Sequence, residues 1–451
     1  MRFVSLLVRL QEWIERNPRL ALRLLFLIAA SAILLRTYSV ASPKAVPESD
    51  DARLAIRILD KAGLHAINPA QLPLSKKPSV MPGFAVVLAG IASVDSATRD
   101  TLSCAMGRGP CHNIDLRWLY LLQGGLAVAT LWLFFKAAHV MSGSRDVAVL
   151  AALLLLLSAP FGGAAGYARP FIYPVFLLAG YAALAAASVR RQSLPLYASS
   201  GAVLALTAMF HAWMLLALPL AASVTLLAPA PRQPFITRAM RFASFLAGGI
   251  AVLVAAYALL VGTGLYDIEW ALRSITYDLS LRAGYDAITP MLAAFGTLVE
   301  FPLVGGLAET LAPQSWTHPF GPYLPGTFLM GGHTDVFGAA LRASSSGAEE
   351  LLYVARRVGS EVDGYLLATP VTLLRGLIAK ADVIAIIGLF NWRRMFAHHA
   401  AVNDSYVLWL VAAPFLTLLV AGTLLTTNMF FTPVALAYVH VYAIASVSGR
   451  L

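Results

Sequence analysis

Charge is scarce in this chain. Asp, Glu, Lys and Arg make up 12% of its 451 residues, about half the ~25% usual in soluble domains. Hydrophobic residues make up 59%, too many for a single core in water. Alternating apolar–polar decamers are missing as well, which excludes a β-barrel. There is no Gly-x-x-x-x-Gly-Lys-Ser/Thr phosphate loop, so ATP-driven transport has no support. There is no His-Glu-x-x-His zinc motif. No basic stretch is interleaved with aromatics, which argues against a nucleic-acid partner. The first apolar run has no small-residue cleavage site close behind it and reads as an anchor, not a removed signal. Without a low-complexity linker or an internal repeat, residues 1–451 read as one membrane domain.

What is present is a series of continuous apolar runs. They predict an all-α polytopic membrane protein, because helices satisfy their own backbone in lipid. About ten spans are expected, at 20–38, 115–138, 146–164, 168–188, 196–211, 213–228, 242–263, 379–391, 405–425 and 428–447. Most approach the ~20 residues needed to cross. The pair within 196–228 is short for two crossings and is read as two short helices bending near Phe210-His211. The net charge of +10 follows topology. Arg2, Arg9, Arg16, Arg19 and Arg23 precede the first run. Arg190, Arg191, Arg232, Arg238, Arg241, Arg393, Arg394 and Arg450 flank other spans. By the positive-inside rule these segments and both termini face the cytoplasm. Two long segments, 39–114 and 264–378, then lie outside. Gly124-Gly125, Gly162-Gly163 and Gly248-Gly249 read as helix-packing sites.

The first outside segment carries both cysteines, Cys104 and Cys111. It lies where disulfides persist, and Met-Gly-Arg-Gly-Pro between them suits a tight turn. A disulfide is expected, against two free thiols; a metal site would need more ligands. Leu54, Ala55, Ile58, Leu59 and Ala62 recur at helical spacing, so 51–62 is expected to lie as a helix on the membrane surface, ending at Gly63. Residues 83–91, after Pro82, are too short to span and read as a second surface or re-entrant helix. Paired carboxylates, Asp50 and Asp51, open the first of these helices. Carboxylates are costly beside lipid. One reading is an N-cap and helix-dipole role, worth about 0.5–2 kcal/mol. The other is chemistry on a lipid-linked substrate.

Asp50-Asp51-Ala52-Arg53-Leu54-Ala55-Ile56-Arg57 resembles the first-loop motif of GT-C membrane glycosyltransferases. There, Asp-Asp-Ala is often followed by an aromatic, then by an Arg seven residues after the first Asp. Arg57 matches, and Arg53 stands where the aromatic is usual. Asn68-Pro69, the run Pro78 to Phe84 and Phe430-Phe431-Thr432-Pro433 resemble further family features. Asn428 and Met429 stand where relatives often carry an Arg. The resemblance implies a GT-C-like frame in a bacterial inner membrane. It implies transfer of a sugar from a polyprenyl phosphate to a glycan, lipid or protein acceptor at the periplasmic face, with inversion and an Asp as general base.

Asp50 or Asp51 is then the expected base on the acceptor hydroxyl. Arg57, two turns on, is expected to share a face with the pair and to meet a carboxylate, a phosphate or lipid headgroups. Arg169, in Tyr167-Ala168-Arg169-Pro170, is a candidate for the leaving phosphate, or else an interfacial anchor. His211 is a candidate substrate contact or a packing residue. His333, with Asp335 and His318, is a candidate donor contact. Their spacing does not define a metal site, and need for a divalent cation stays open. The alternative from another class is a noncatalytic membrane protein with the same frame, either a lipid-linked-glycan transporter or a subunit of an envelope assembly. Few ionisable residues lie mid-span, Lys380 and Asp382 being the main ones, which argues against transport.

Overall fold

The computed structural model describes residues between 9 and 266, apart from 11, 39–45, 48, 61–80, 108–113, 158, 212–213 and 228–233. Cys111, His318, His333, Asp335 and the expected spans at 379–391, 405–425 and 428–447 lie outside the described residues. Among the described residues every regular element is helical. They are α1 (Pro18–Tyr38), α2 (Ser49–Leu59), α3 (Pro82–Val94), α4 (Ser96–Ala105), α5 (Arg117–Ser142), α6 (Arg145–Leu157), α7 (Ala159–Gly166), α8 (Ile172–Arg191), α9 (Leu194–Thr207), α10 (Met214–Leu227) and α11 (Phe235–Gly262). By length and composition α1, α5, α8 and α11 are able to cross a bilayer. The chain is a helical polytopic membrane protein.

Local chemistry explains where these helices stop. α5 runs a full turn past the expected limit and ends where Gly143 adopts φ 68°, a left-handed cap open to glycine at little cost. The expected span at 146–164 is covered by α6 and α7, residue 158 between them lying outside the described residues. α9 and α10 are separate helices of 14 residues each, with the chain turning over 208–210 between them. The bend expected at Phe210-His211 is present. α11 begins at Phe235, two turns before the expected 242, so Arg238 and Arg241 are helical residues and not loop residues.

Small residues set the packing. α9 lies so close to α11 that a Cβ on Gly201 would collide with the Phe245 carbonyl oxygen, and one on Gly248 with that of Ala198. A Cβ on Gly124 of α5 would collide with the Ile33 side chain of α1. α8 packs between α5 and α9, burying Leu178, Tyr181, Ala182, Ala185 and Ala186. α1 and α11 keep apolar flanks exposed, including Leu27, Leu35, Ile250, Val254 and Leu259, as suits helices in lipid.

The molecule has two distinct ends. At one, Arg190 donates to the Val140 carbonyl and Arg241 to Gln192 Oε1. Ser244 Oγ donates to the Leu194 carbonyl at 2.7 Å, and Arg238 Nη1 to that of Leu226 at 3.4 Å. This basic end gathers termini of α5, α8, α9, α10 and α11. The opposite end carries α2, α3 and α4, packed on one another, and receives the α7–α8 turn and the α9–α10 bend.

Candidate functional site

The site begins on α2. Its buried residues are Asp51, Ala52, Leu54, Ala55, Ile58 and Leu59, so Asp51 shares the inward stripe of positions 51, 55 and 58. Positions 50, 53 and 57 form a different stripe, holding Asp50, Arg53 and Arg57. Arg53 Nη1 donates to Asp50 Oδ1 at 3.0 Å, and both side chains are about one-third exposed, at 29% and 33%. The two carboxylates therefore differ in kind. Asp50 is a partly exposed ion-pair partner. Asp51 retains 3% of its exposure, and its carboxyl is raised from 3.8 to about 7, first by burial and then by the neighbouring Asp50 charge. Arg57, expected beside the pair as a whole, lies on Asp50's stripe, because seven residues return a helix to nearly the same azimuth. Asp60 closes the helix and pairs with Arg99 of α4 at 4.0 Å.

α3 connects α2 to the membrane helices. Pro82 and Gly83 start it, and Pro suits a first helical turn, where its missing N–H is no loss. The Gly83 N–H donates to the Met209 carbonyl at 2.7 Å. A Cβ on Gly83 would sit 2.7 Å from that oxygen, so only glycine allows this approach. Phe84 then meets the Tyr173 ring, with centroids 5.7 Å apart. Tyr173 in turn stacks on Phe210 at 5.1 Å, the planes 1° apart. His211 follows Phe210 directly and donates its N–H to the Thr207 carbonyl at 3.1 Å.

Arg169 lies in the turn between α7 and α8. Its N–H donates to the Tyr167 carbonyl at 2.8 Å. Its own carbonyl accepts from Gln123 Nε2 of α5 at 3.0 Å. The α7–α8 break leaves backbone groups unpaired within an apolar bundle, and Gln123 satisfies one of them. Arg169 and Tyr173, Phe210-His211, and Gly83-Phe84 thus come from three separated parts of the sequence to the same end of the molecule. Asp51 is linked to this group through the packing of α2 on α3.

Sequence reasoning missed Gln123, Tyr173 and the helix α4. A lone glutamine inside a long apolar run was the available signal for the first. For α4 the signal was Asp95, whose carboxylate accepts from the Thr98 N–H at 2.9 Å as an N-cap. Cys104, at the end of α4, is in disulfide form, and the chain's other cysteine lies outside the described residues. Among the described residues no three His, Cys, Asp or Glu side chains converge as metal ligands.

No protein-family model matches the chain, and no curated protein does. Among solved structures, the crystal structure of ArnT from Cupriavidus metallidurans bound to undecaprenyl phosphate is similar to it. The identity is 13% and the TM-score 0.42, over 94% of this chain and 78% of that one. A likeness at that level carries no argument about the reaction.

Proposed function

We propose that this chain is an inverting membrane glycosyltransferase of GT-C type. It takes a sugar from a polyprenyl phosphate and passes it to an envelope acceptor at the outer, periplasmic face of a bacterial inner membrane. The observation that carries this reading is the burial of Asp51 at the start of a surface helix directly after the first span, with Asp50 held apart by Arg53. A carboxyl that titrates at about 7 suits a general base, because the best catalytic pKa lies near the working pH. Asp51 is assigned that role on the acceptor hydroxyl, and Arg169 the stabilisation of the phosphate as it leaves with its electron pair.

Protein in lipid nanodiscs, given a radiolabelled polyprenyl-phosphoryl sugar and membrane acceptors, tests this directly. Asp51→Asn is expected to lower transfer by roughly a hundredfold or more, the lower range for loss of a general base. Asp50→Asn is expected to stay within a few-fold, because a solvent-accessible ion pair contributes about 1 kcal/mol or less. Full activity in Asp51→Asn would end the proposal in favour of a noncatalytic protein with a GT-C-like frame.

A further inference from the structure

α1 and α5 gather cations on one flank of the basic end, and the mechanism above uses none of them. Two contacts fix the register of these helices. Gly124 lies against Ile33, and the Phe26 and Trp132 rings have centroids 5.8 Å apart. Numbers fall along α1 as they rise along α5, so the two run antiparallel. One turn beyond Phe26 and Trp132, the same register sets Arg23 level with Lys136. A further turn sets Arg19 level with His139 and Val140. The Val140 carbonyl accepts from Arg190 of α8. Arg19, Arg23, Lys136 and Arg190 are all exposed. Lys136 Nζ lies 4.5 Å from the centroid of the Trp132 ring, and Trp132 is itself 42% exposed.

Nothing in these helices offsets the charge. α1, α5 and α8 contain no Asp or Glu. Glu15, the last acid before α1, stands two turns from Arg23 along the chain. Asp146, after α5, is buried and accepts from Ser144. Among the described residues Arg19, Arg23 and Lys136 have no ion pair. Like charges gathered in this way repel one another and favour an anion between them. Guanidinium and ammonium groups only donate, and an ionised phosphate accepts. Leu20, Leu24 and Leu27 of α1 are exposed beside the cations, so the flank faces acyl chains. Long basic side chains lay their stems on such a surface and keep their heads at headgroup level. We propose that Arg23 and Lys136, with Arg19 and Arg190 beside them, form a docking surface for the headgroup of an anionic phospholipid. An acyl chain of that lipid lies on the Phe26–Trp132 pair. Basic clusters between membrane helices take such headgroups. A lipid is the occupant and not dissolved phosphate, because the aromatic and leucine surface beside the cations needs hydrocarbon to cover it.

The full chain in a neutral detergent is titrated with palmitoyl-oleoyl phosphatidylglycerol or with phosphatidylcholine of the same chains. Binding is read by native mass spectrometry and by unfolding temperature, which a ligand of the folded state raises with its concentration. Expected is tighter binding of phosphatidylglycerol by the parent. Arg23→Gln and Lys136→Gln should each reduce that preference roughly fivefold, the worth of one cation near an anionic surface. Arg23→Lys and Lys136→Arg keep the charge and should keep the preference. Arg238→Gln should keep it too, because α11 lies across the bundle, packed on α9 and α10. Equal binding of both lipids by the parent overturns the proposal. So does an equal loss in Arg238→Gln, which would mean net charge alone, and so does inorganic phosphate that matches the effect of the lipid. A glutamine variant that unfolds earlier without lipid yet keeps the preference also overturns it, because its side chain is then structural.

Discussion

Between about pH 4 and 7 the folded protein holds a proton on Asp51 that the unfolded chain has already released. The carboxyl is raised from 3.8 to about 7, so stability falls as pH rises through that window and levels off above it. The loss is on the order of 4 kcal/mol at most, from about 1.36 kcal/mol per pH unit. Asp51→Asn is therefore expected to unfold at a higher temperature than the parent at pH 8, and at nearly the same temperature at pH 4. In the parent, transfer should rise with pH through about 7, as the base loses its proton, and no such limb should remain in the residual activity of Asp51→Asn. Gain of stability with loss of turnover separates a functional carboxylate from a helix cap, whose removal would destabilise. The sequence pointed to the pair but left the choice between its members open, although positions 51, 55 and 58 repeat on the apolar stripe of α2 while 50, 53 and 57 carry charge. What spacing does not contain is the depth of burial, because that depends on α3 and α4 packing over the stripe.

The elements show why the rest of the site was harder to read. α2 and α3 were visible in hydropathy because each has a surface-helix signature and a Pro or acidic start. The bend at Phe210-His211 was visible from length alone. The meeting of Gly83 with Met209 was not, since it joins residues 126 positions apart through one backbone hydrogen bond. Gly201 and Gly248 pose the same difficulty. Their neighbours are backbone carbonyls of the opposing helix, and periodicity cannot reveal which glycine faces which. Gly201→Ala or Gly248→Ala is expected to push α9 from α11 and cost about 1–3 kcal/mol, the usual penalty of overpacking. Gly125→Ala should be neutral, because a Cβ there meets nothing within 4 Å among the described residues. Thermal unfolding of the three variants in one detergent is the check.

Across the whole molecule, the sign of charge marks one end and the surface helices mark the other. Arginine placement made the first legible, and the Asp-Asp-Ala motif pointed to the second. Between these ends the helices differ in reach. α8, with 20 residues, extends about 30 Å, whereas α9, with 14, extends about 21 Å at ~1.5 Å per residue. The hydrocarbon layer is ~30 Å thick, so α9 is shorter than the layer, and the start of α3 meets its far end through the Gly83–Met209 hydrogen bond. A bilayer meeting this side of the protein is drawn thinner, at a cost that grows with acyl-chain length. Reconstitution in a series of phosphatidylcholines from 14- to 22-carbon chains should therefore give highest unfolding temperature and turnover in the shorter lipids. A short α9 and its cover would make this protein a gauge of membrane thickness, working best where the sheet of lipid around it is thin.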